Sequence, residues 1–229
     1  MDCISLSGLV FIVGAYGSGK SEIAIHLAAL HAKKGKKVQL IDMDLVNLYF
    51  RTREAREELQ NIGVKVVLPD VEYMDADLPI VSPKVLGAFQ NPGDLTLVDV
   101  GGDPVGATVL ASLLYVLKKQ PFEVFQVVNP FRPFTTSTAA TMRFALEDAS
   151  HLKVTGLIAN PNLLEDTTLE AVQQGAQMMS DISNELHLPC KFIAISEEFK
   201  NDFVNNTFSY PVLFLQRYLV PPWLSSGKL

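Results

Sequence analysis

Short apolar segments and amphipathic segments alternate along most of this chain. The stretches Gly8 to Val13, Val38 to Ile41 and Leu95 to Val100 are apolar almost throughout and predict buried β-strands. Ser21 to Lys34 and Thr168 to Leu186 repeat apolar residues at helical spacing and predict helices. Strands that are apolar on both faces and separated by helices are typical of a parallel sheet covered on both sides. The pattern therefore predicts a doubly wound α/β fold with a mostly parallel sheet in a three-layer, Rossmann-like arrangement.

The alternation is interrupted once and is followed by an apolar tail. Residues 69–94 are rich in Pro, Asp and Gly, with a short helix predicted from Pro83 behind a Ser82 cap. This segment is longer than a plain connection, so we expect a lid or a partner-binding segment. Residues 205–229 are expected to pack on the domain or on a partner. We see no linker that divides the chain, and expect one domain over residues 1–229. Further strands are predicted at 64–68, 122–128, 154–159 and 192–195, and the strand at 192–195 is the last one predicted in the chain. Further helices are predicted at 52–61, 105–118 and 137–149.

The segment GAYGSGKS has the spacing of a phosphate-binding loop and stands between a predicted strand and a predicted helix. Gly17 and Gly19 allow backbone N–H groups to turn inward around a β-phosphate without Cβ clashes. The helix that follows directs its positive N-terminal end at the same anion. Lys20 is expected to reach the β- and γ-phosphates, and Ser21 to offer its hydroxyl to Mg²⁺. The residues expected to bind the nucleotide here are Gly14, Ala15, Tyr16, Gly17, Ser18, Gly19, Lys20 and Ser21.

Acidic residues follow two of the predicted strands. IDMD places Asp42 and Asp44 at the end of one strand, and LVDVGG places Asp99 at the end of another. The carboxyl ends of the strands line the ligand crevice in open α/β sheets, so we expect these carboxylates near the phosphates. We expect Asp99 to make an outer-shell contact to Mg²⁺ and Gly102 to contact the γ-phosphate through its backbone N–H. Asp44 is free to orient an attacking water. The segment 129–138 leaves another strand end and is expected to flank the nucleotide.

Composition excludes several classes of protein. The formal net charge of −6 gives no global support for binding nucleic acid, and we expect none. No apolar run approaches the ~20 residues that span a bilayer, and we expect no membrane partner. The basic cluster at 33–37 is interpreted as charge at the end of a helix. Two distant cysteines, Cys3 and Cys190, fit a reducing compartment, so we expect the cytoplasm.

Taken in order, the GxxxxGKS loop, KKVQLIDMD, LTLVDVGG and VTGLIAN resemble the MinD/ParA class of P-loop ATPases, which includes the CobQ/CobB-type enzymes. The resemblance extends over about residues 8–200. It implies a P-loop NTPase fold, with Asp44 as the switch I aspartate that acts on water and Asp99 as the strand-end aspartate of switch II. It also implies that Asn160 contacts adenine. The guanine-reading [NT]-K-x-D signature is absent from LIANPN, which favours ATP over GTP.

One departure from that class bears on the activity. Many members carry a second lysine early in the loop, which reaches the phosphates of the other subunit in a nucleotide-sandwich dimer. Ala15 and Tyr16 occupy that stretch here, so we expect slow hydrolysis. The first hypothesis is an ATP- and Mg²⁺-binding hydrolase, with Lys20 and Asp44 as its catalytic residues, that acts as a switch for a partner protein. A homodimer is one form that such a partnership would take. The alternatives are a small-molecule kinase or ATP-dependent ligase, and a nucleotide-binding module with little turnover.

Overall fold

The computed structural model describes residues 4–43, 55–68, 82–101, 110–111, 113–117, 120–132, 135–203 and 208–216. Within these residues the strands form a single eight-stranded sheet in which every pairing is parallel. The strands are β1 (Gly8–Gly14), β2 (Val38–Met43), β3 (Lys65–Val67), β4 (Leu95–Val100), β5 (Phe122–Val128), β6 (Gly156–Ala159), β7 (Cys190–Ser196) and β8 (Val212–Leu215). Their order across the sheet is β3-β2-β4-β1-β5-β6-β7-β8.

The helices connect these strands, and two of the described helices begin at a side-chain cap. Ser82 Oγ accepts a hydrogen bond from the backbone N–H of Val85, and Thr168 Oγ accepts one from that of Ala171. No helix in the described part of the chain is long and apolar enough to cross a membrane. The α-helices within the described residues are α1 (Lys20–Lys33), α2 (Arg56–Asn61), α3 (Pro83–Gln90), α4 (Leu114–Leu117), α5 (Thr135–Ser150) and α6 (Leu169–Leu186).

Two hydrophobic clusters lie on the two faces of the sheet. Along β1, Phe11 belongs to one cluster and the adjacent residues Val10 and Ile12 to the other, as the alternation of side chains along a strand requires. Residues of α1 and α2 join the second cluster, whereas residues of α3 to α6 join the first. Helices therefore cover both faces, and the prediction of a doubly wound, mostly parallel α/β fold is confirmed.

Strand β8 was missed in the sequence. Its four residues pair in parallel with β7, with Ile193 opposite Val212, and place part of the apolar tail at the edge of the sheet. The segment VLFL is short and has no amphipathic helix directly before it, so local periodicity did not separate it from its surroundings. The expected lid residues 69–81 and the end of the tail, 217–229, lie outside the described residues.

The lysines behind α1 hold the segment that precedes β1. Lys34 Nζ donates to the carbonyl of Ile4 at 3.2 Å, and Lys36 Nζ donates to that of Leu6 at 2.6 Å. His31 Nε2 accepts the Leu6 N–H at 2.9 Å, and burial lowers the pKa of this imidazole, which stays neutral. Two lysines of the basic cluster thus serve an internal contact, which agrees with a structural interpretation of this charge.

Candidate functional site

The candidate site lies where the direction of winding changes in the sheet. Strand β1 is flanked by β4 on one side and by β5 on the other, and the connection from β1 to β2 passes over β4. Ligands of open α/β sheets bind at such a switch point, outside the carboxyl ends of the strands. The loop between β1 and α1 occupies this position, and Asp99 stands beside it because it is the register partner of Ile12.

The glycines of the loop adopt conformations that other residues rarely take. Gly14, Gly17 and Gly19 have φ values of 147°, 72° and 92°. A Cβ on Gly14 would stand 2.5 Å from the carbonyl oxygen of Val127 on β5, and a Cβ on Gly19 would overlap Asn160 Nδ2. Backbone conformation and close packing therefore both require the glycine spacing that the sequence motif predicted.

Lys20 and Ser21 begin α1 and are buried. Lys20 is 2% exposed, and its Nζ donates to the carbonyl of Ala15 at 3.3 Å, so the side chain folds back along the loop. Ser21 is 3% exposed, and its Oγ makes no hydrogen bond with any described residue. Leaving a buried hydroxyl unsatisfied is costly, whereas a hard cation such as Mg²⁺ accepts such an oxygen as a ligand. The hydroxyl at this position therefore fits the ion predicted for it.

Asp99 and Asp42 stand side by side on neighbouring strands. They are register partners of β4 and β2, and Asp99 is only 1% exposed. No group of three or more His, Cys, Asp or Glu side chains in the described ranges is placed to hold a metal ion. Magnesium at this site would rely on Ser21, waters and phosphate oxygens, with Asp99 behind them, as is common for nucleotide-bound Mg²⁺. The predicted residues Asp44 and Gly102 lie outside the described residues.

Asn160 connects the end of β6 to the phosphate loop. Its Nδ2 donates to the carbonyl of Ser18 at 2.7 Å, and the residue is 6% exposed. In this structure the side chain supports the loop, and its predicted contact with a base stays a prediction. A cleft of about 550 Å³ adjoins it, a volume within the range of small-molecule pockets. Residues lining this cleft include Gly17, Gly19, Asn129, Asn160, Asn162 and Glu198.

One contact of the loop was not anticipated. Arg132, from the turn after β5, donates from Nη2 to the carbonyl of Gly17 at 3.3 Å. We expected the segment 129–138 to flank the nucleotide, but did not single out this side chain. The signal in the sequence was an arginine followed by Pro133 within a few residues of a strand end. A guanidinium at the carboxyl edge of a parallel sheet is well suited to bind phosphate.

Solved structures share this fold. Cell division protein FtsY of Thermotoga maritima is 24% identical, with a TM-score of 0.56, 82% of this chain covered and 62% of the other. Signal recognition particle receptor FtsY of Elizabethkingia anophelis gives 21% identity, a TM-score of 0.55, and 93% and 63% coverage. A complex of that receptor with GDP is 22% identical, with a TM-score of 0.51, 86% of this chain covered and 59% of the other. At these identities the likeness establishes the fold alone.

Sequence comparison finds two relatives and a matching family. The signal recognition particle protein of Aquifex aeolicus (strain VF5) is 27% identical over 203 residues, which are 85% of this chain and 40% of that protein. The Thermus aquaticus protein of the same name is 35% identical over 96 residues, 41% of this chain and 21% of that one. The chain thus spans two fifths or less of these relatives. The model of the CobQ/CobB/MinD/ParA nucleotide binding domain matches residues 9–195. The predicted resemblance is confirmed, and this chain, a P-loop NTPase by fold and motif, belongs to the CobQ/CobB/MinD/ParA nucleotide-binding domain family.

Proposed function

We propose that this protein is a Mg²⁺-dependent nucleoside triphosphatase that turns over slowly and acts as a nucleotide switch for a partner protein. The observation that carries the proposal is the loop from Gly14 to Ser21. It combines glycines in left-handed conformations with a buried Lys20 and with a buried Ser21 hydroxyl that bonds no described residue. These are the features needed to surround a β-phosphate and to ligate its cation.

Each residue of the site has a proposed part in the reaction. The loop amides and Lys20 would bind the β- and γ-phosphates, and the N-terminus of α1 would add its partial positive charge. Ser21 and Asp99 would hold Mg²⁺, which supplies charge neutralisation to the phosphates when bound. Asp44 would orient the attacking water, and Gly102 would contact the γ-phosphate through its N–H. The role of Asp44 agrees with what the family resemblance implies, and that of Gly102 rests on its position three residues after Asp99 in the sequence.

The slow turnover in this proposal rests on the loop's missing second lysine, and the protein partner on the exposed surface of the loop. Ala15 and Tyr16 supply no positive charge, and the Tyr16 side chain is 72% exposed at the surface of the loop. An exposed aromatic residue beside bound phosphates is a natural contact for another protein. Among the relatives, one name describes a particle protein and another a receptor for that particle. We propose a protein partner for this chain as well, a second copy of it being one candidate, and action in the cytoplasm.

We expect ATP to bind more tightly than GTP. A guanine base is read by an aspartate three residues after the Asn or Thr of [NT]-K-x-D, and that position, counted from Asn160, holds Leu163. GTP is the second candidate, because the receptor FtsY of Elizabethkingia anophelis was crystallised with GDP. Competition of ATP and GTP for a fluorescent triphosphate analogue decides between them. A tenfold preference for GTP, about 1.4 kcal/mol, would overturn the adenine assignment.

Turnover by the isolated protein is expected to be slow, on the order of 10⁻² s⁻¹ or below, as in switch NTPases without a partner-supplied cation. Asp44→Ala should lower this rate by at least about tenfold and leave triphosphate affinity nearly unchanged, because a residue that positions water acts in the transition state. Single-turnover hydrolysis and calorimetry measure the two quantities.

The exposed Asp148 on α5 provides the matched control, since Asp148→Ala removes a carboxylate far along the chain from the loop. Fast hydrolysis by wild type that persists without Asp44 would contradict both the slow switch and the role given to Asp44. Turnover that required an added small molecule would instead indicate a kinase or a ligase. Binding with no turnover at all would indicate a nucleotide-binding module.

A further inference from the structure

A second cation besides Lys20 contacts the phosphate loop. Arg132 Nη2 donates to the Gly17 carbonyl at 3.3 Å, and Lys20 Nζ donates to the Ala15 carbonyl at the same distance. A Cβ built on Gly17 would stand 2.5 Å from Arg132 Nη2, so the guanidinium approaches the loop at a point that glycine keeps open. Lys20 belongs to the loop motif, whereas Arg132 reaches the loop from 115 positions away along the chain.

The turn that carries Arg132 is held in place by its neighbours. Asn129 Oδ1 accepts the Phe131 N–H at 3.0 Å, and the Asn129 carbonyl accepts the Arg132 N–H at 3.2 Å. Asn129 Nδ2 donates to the carbonyl of Asn162 at 2.8 Å, which ties the turn to the end of β6. Phe131 Cε2 would stand 3.3 Å from a Cβ on Gly175, so the turn packs against α6. The backbone is therefore preorganised, and the exposed side chain of Arg132 extends from it.

The charges around the loop show what such a side chain can supply. Within GAYGSGKS, Lys20 is the only charged residue, and Glu22 in the next position adds a carboxylate to the same cleft as Arg132. When a triphosphate bound there is hydrolysed, negative charge develops on the leaving diphosphate. Lys20 and Mg²⁺ alone would balance that charge incompletely. A guanidinium offers two parallel N–H donors to phosphate oxygens, which an ammonium group does not.

We propose that Arg132 is a catalytic residue that the chain supplies in cis, and that it offsets only part of the loss of a lysine at positions 15 and 16, so that turnover stays on the order of 10⁻² s⁻¹ or below, as in a switch NTPase with an arginine in cis. The inference rests on the proposed hydrolase function. In that reaction the water oxygen forms a bond to the γ-phosphorus, and the bond from that phosphorus to the β–γ bridging oxygen breaks. The electron pair of the broken bond stays on the diphosphate. One proton of the water remains on the released phosphate, and the other passes to solvent. Arg132 exchanges the Gly17 carbonyl for the oxygens on which negative charge grows.

The test compares wild type, Arg132→Ala and Arg132→Lys. We expect Arg132→Ala to lower the single-turnover rate by at least about 100-fold, since arginines in this role are worth 10³–10⁵. Its affinity for a non-hydrolysable triphosphate should fall less than about tenfold, because the contact forms mainly in the transition state. Arg132→Lys should recover only part of the rate, since a point charge replaces the planar fork.

A second readout does not depend on turnover. Calorimetry with ADP and Mg²⁺, with and without aluminium fluoride, measures the affinity for a planar mimic of the transferred phosphoryl group, and GDP provides a parallel series. Wild type should bind the mimic more tightly than the diphosphate alone, and Arg132→Ala should lose that preference. Arg56→Ala, which removes an exposed arginine on α2, should behave as wild type.

Each result decides the matter. Unchanged rate and unchanged mimic preference in Arg132→Ala, with wild type active, would overturn the role of Arg132 and leave the hydrolase intact. An equal loss of affinity for diphosphate, triphosphate and mimic would also overturn it, since Arg132 would then only shape the loop. Wild type that binds none of these nucleotides would overturn the hydrolase itself. If the melting temperature of Arg132→Ala is well below that of wild type, the rate and the mimic preference of Arg132→Lys are compared with those of wild type instead.

Discussion

Lys20→Ala is expected to weaken triphosphate binding by at least about 100-fold, which corresponds to about 2.8 kcal/mol. The side chain is buried within the loop and donates a hydrogen bond to a loop carbonyl, so its charge is concentrated where the β- and γ-phosphates are proposed to lie. Charge-assisted hydrogen bonds in a poorly solvated site are strong, and alanine offers no replacement. Calorimetry with a non-hydrolysable ATP analogue and Mg²⁺ measures the effect.

Lys33→Ala is the matched control, because Lys33 is an exposed lysine at the other end of the same helix. This variant should retain wild-type affinity. If Lys20→Ala binds the analogue as tightly as Lys33→Ala does, the loop from Gly14 to Ser21 does not bind phosphate. Equal losses in both variants would indicate attraction by the net charge of α1 and no specific contact.

Gly19→Ala should abolish measurable triphosphate binding and lower the free energy of unfolding. Gly19 has a φ of 92°, so alanine there is strained by about 1–3 kcal/mol. The new Cβ would also overlap Asn160 Nδ2, which donates to the Ser18 carbonyl and keeps the loop against β6. Displacing Asn160 would therefore move the loop amides that are proposed to surround the β-phosphate. Urea denaturation and calorimetry measure the two effects.

A substitution at Gly35 separates the effect of backbone strain from the effect of displacing Asn160. Gly35 has a φ of 81°, yet a Cβ at this position meets nothing within 4 Å. Gly35→Ala should therefore lose stability through backbone strain alone and keep its affinity for triphosphate. A Gly19→Ala variant that differs from Gly35→Ala in neither stability nor binding would show that the contact between Asn160 and the loop carries no weight.

Local patterns were enough to place several elements. The helix predicted from Pro83 begins at that residue in the structure, and the strands at 95–100 and 122–128 were predicted with the bounds that the structure has. Ser82 and Pro83 mark the start of the helix through their own chemistry, and both strands are apolar runs ended by polar or turn residues. Helix α1 was placed within one residue at each end. Such signals need no knowledge of distant segments.

The sequence by itself also determined the phosphate loop. The residues of that motif are adjacent in the chain, and its glycines are required by the local backbone conformation. Only the tertiary structure decided what surrounds the loop. The strand order places β4 and β5 beside β1, which brings Asp99 and Arg132 to it, and Asn160 meets Ser18 across 142 positions. Strand order follows from burying both faces of the whole sheet, a condition that no local periodicity records. For the same reason β8, paired only at the sheet edge, came from the structure, as did the contact between Arg132 and Gly17.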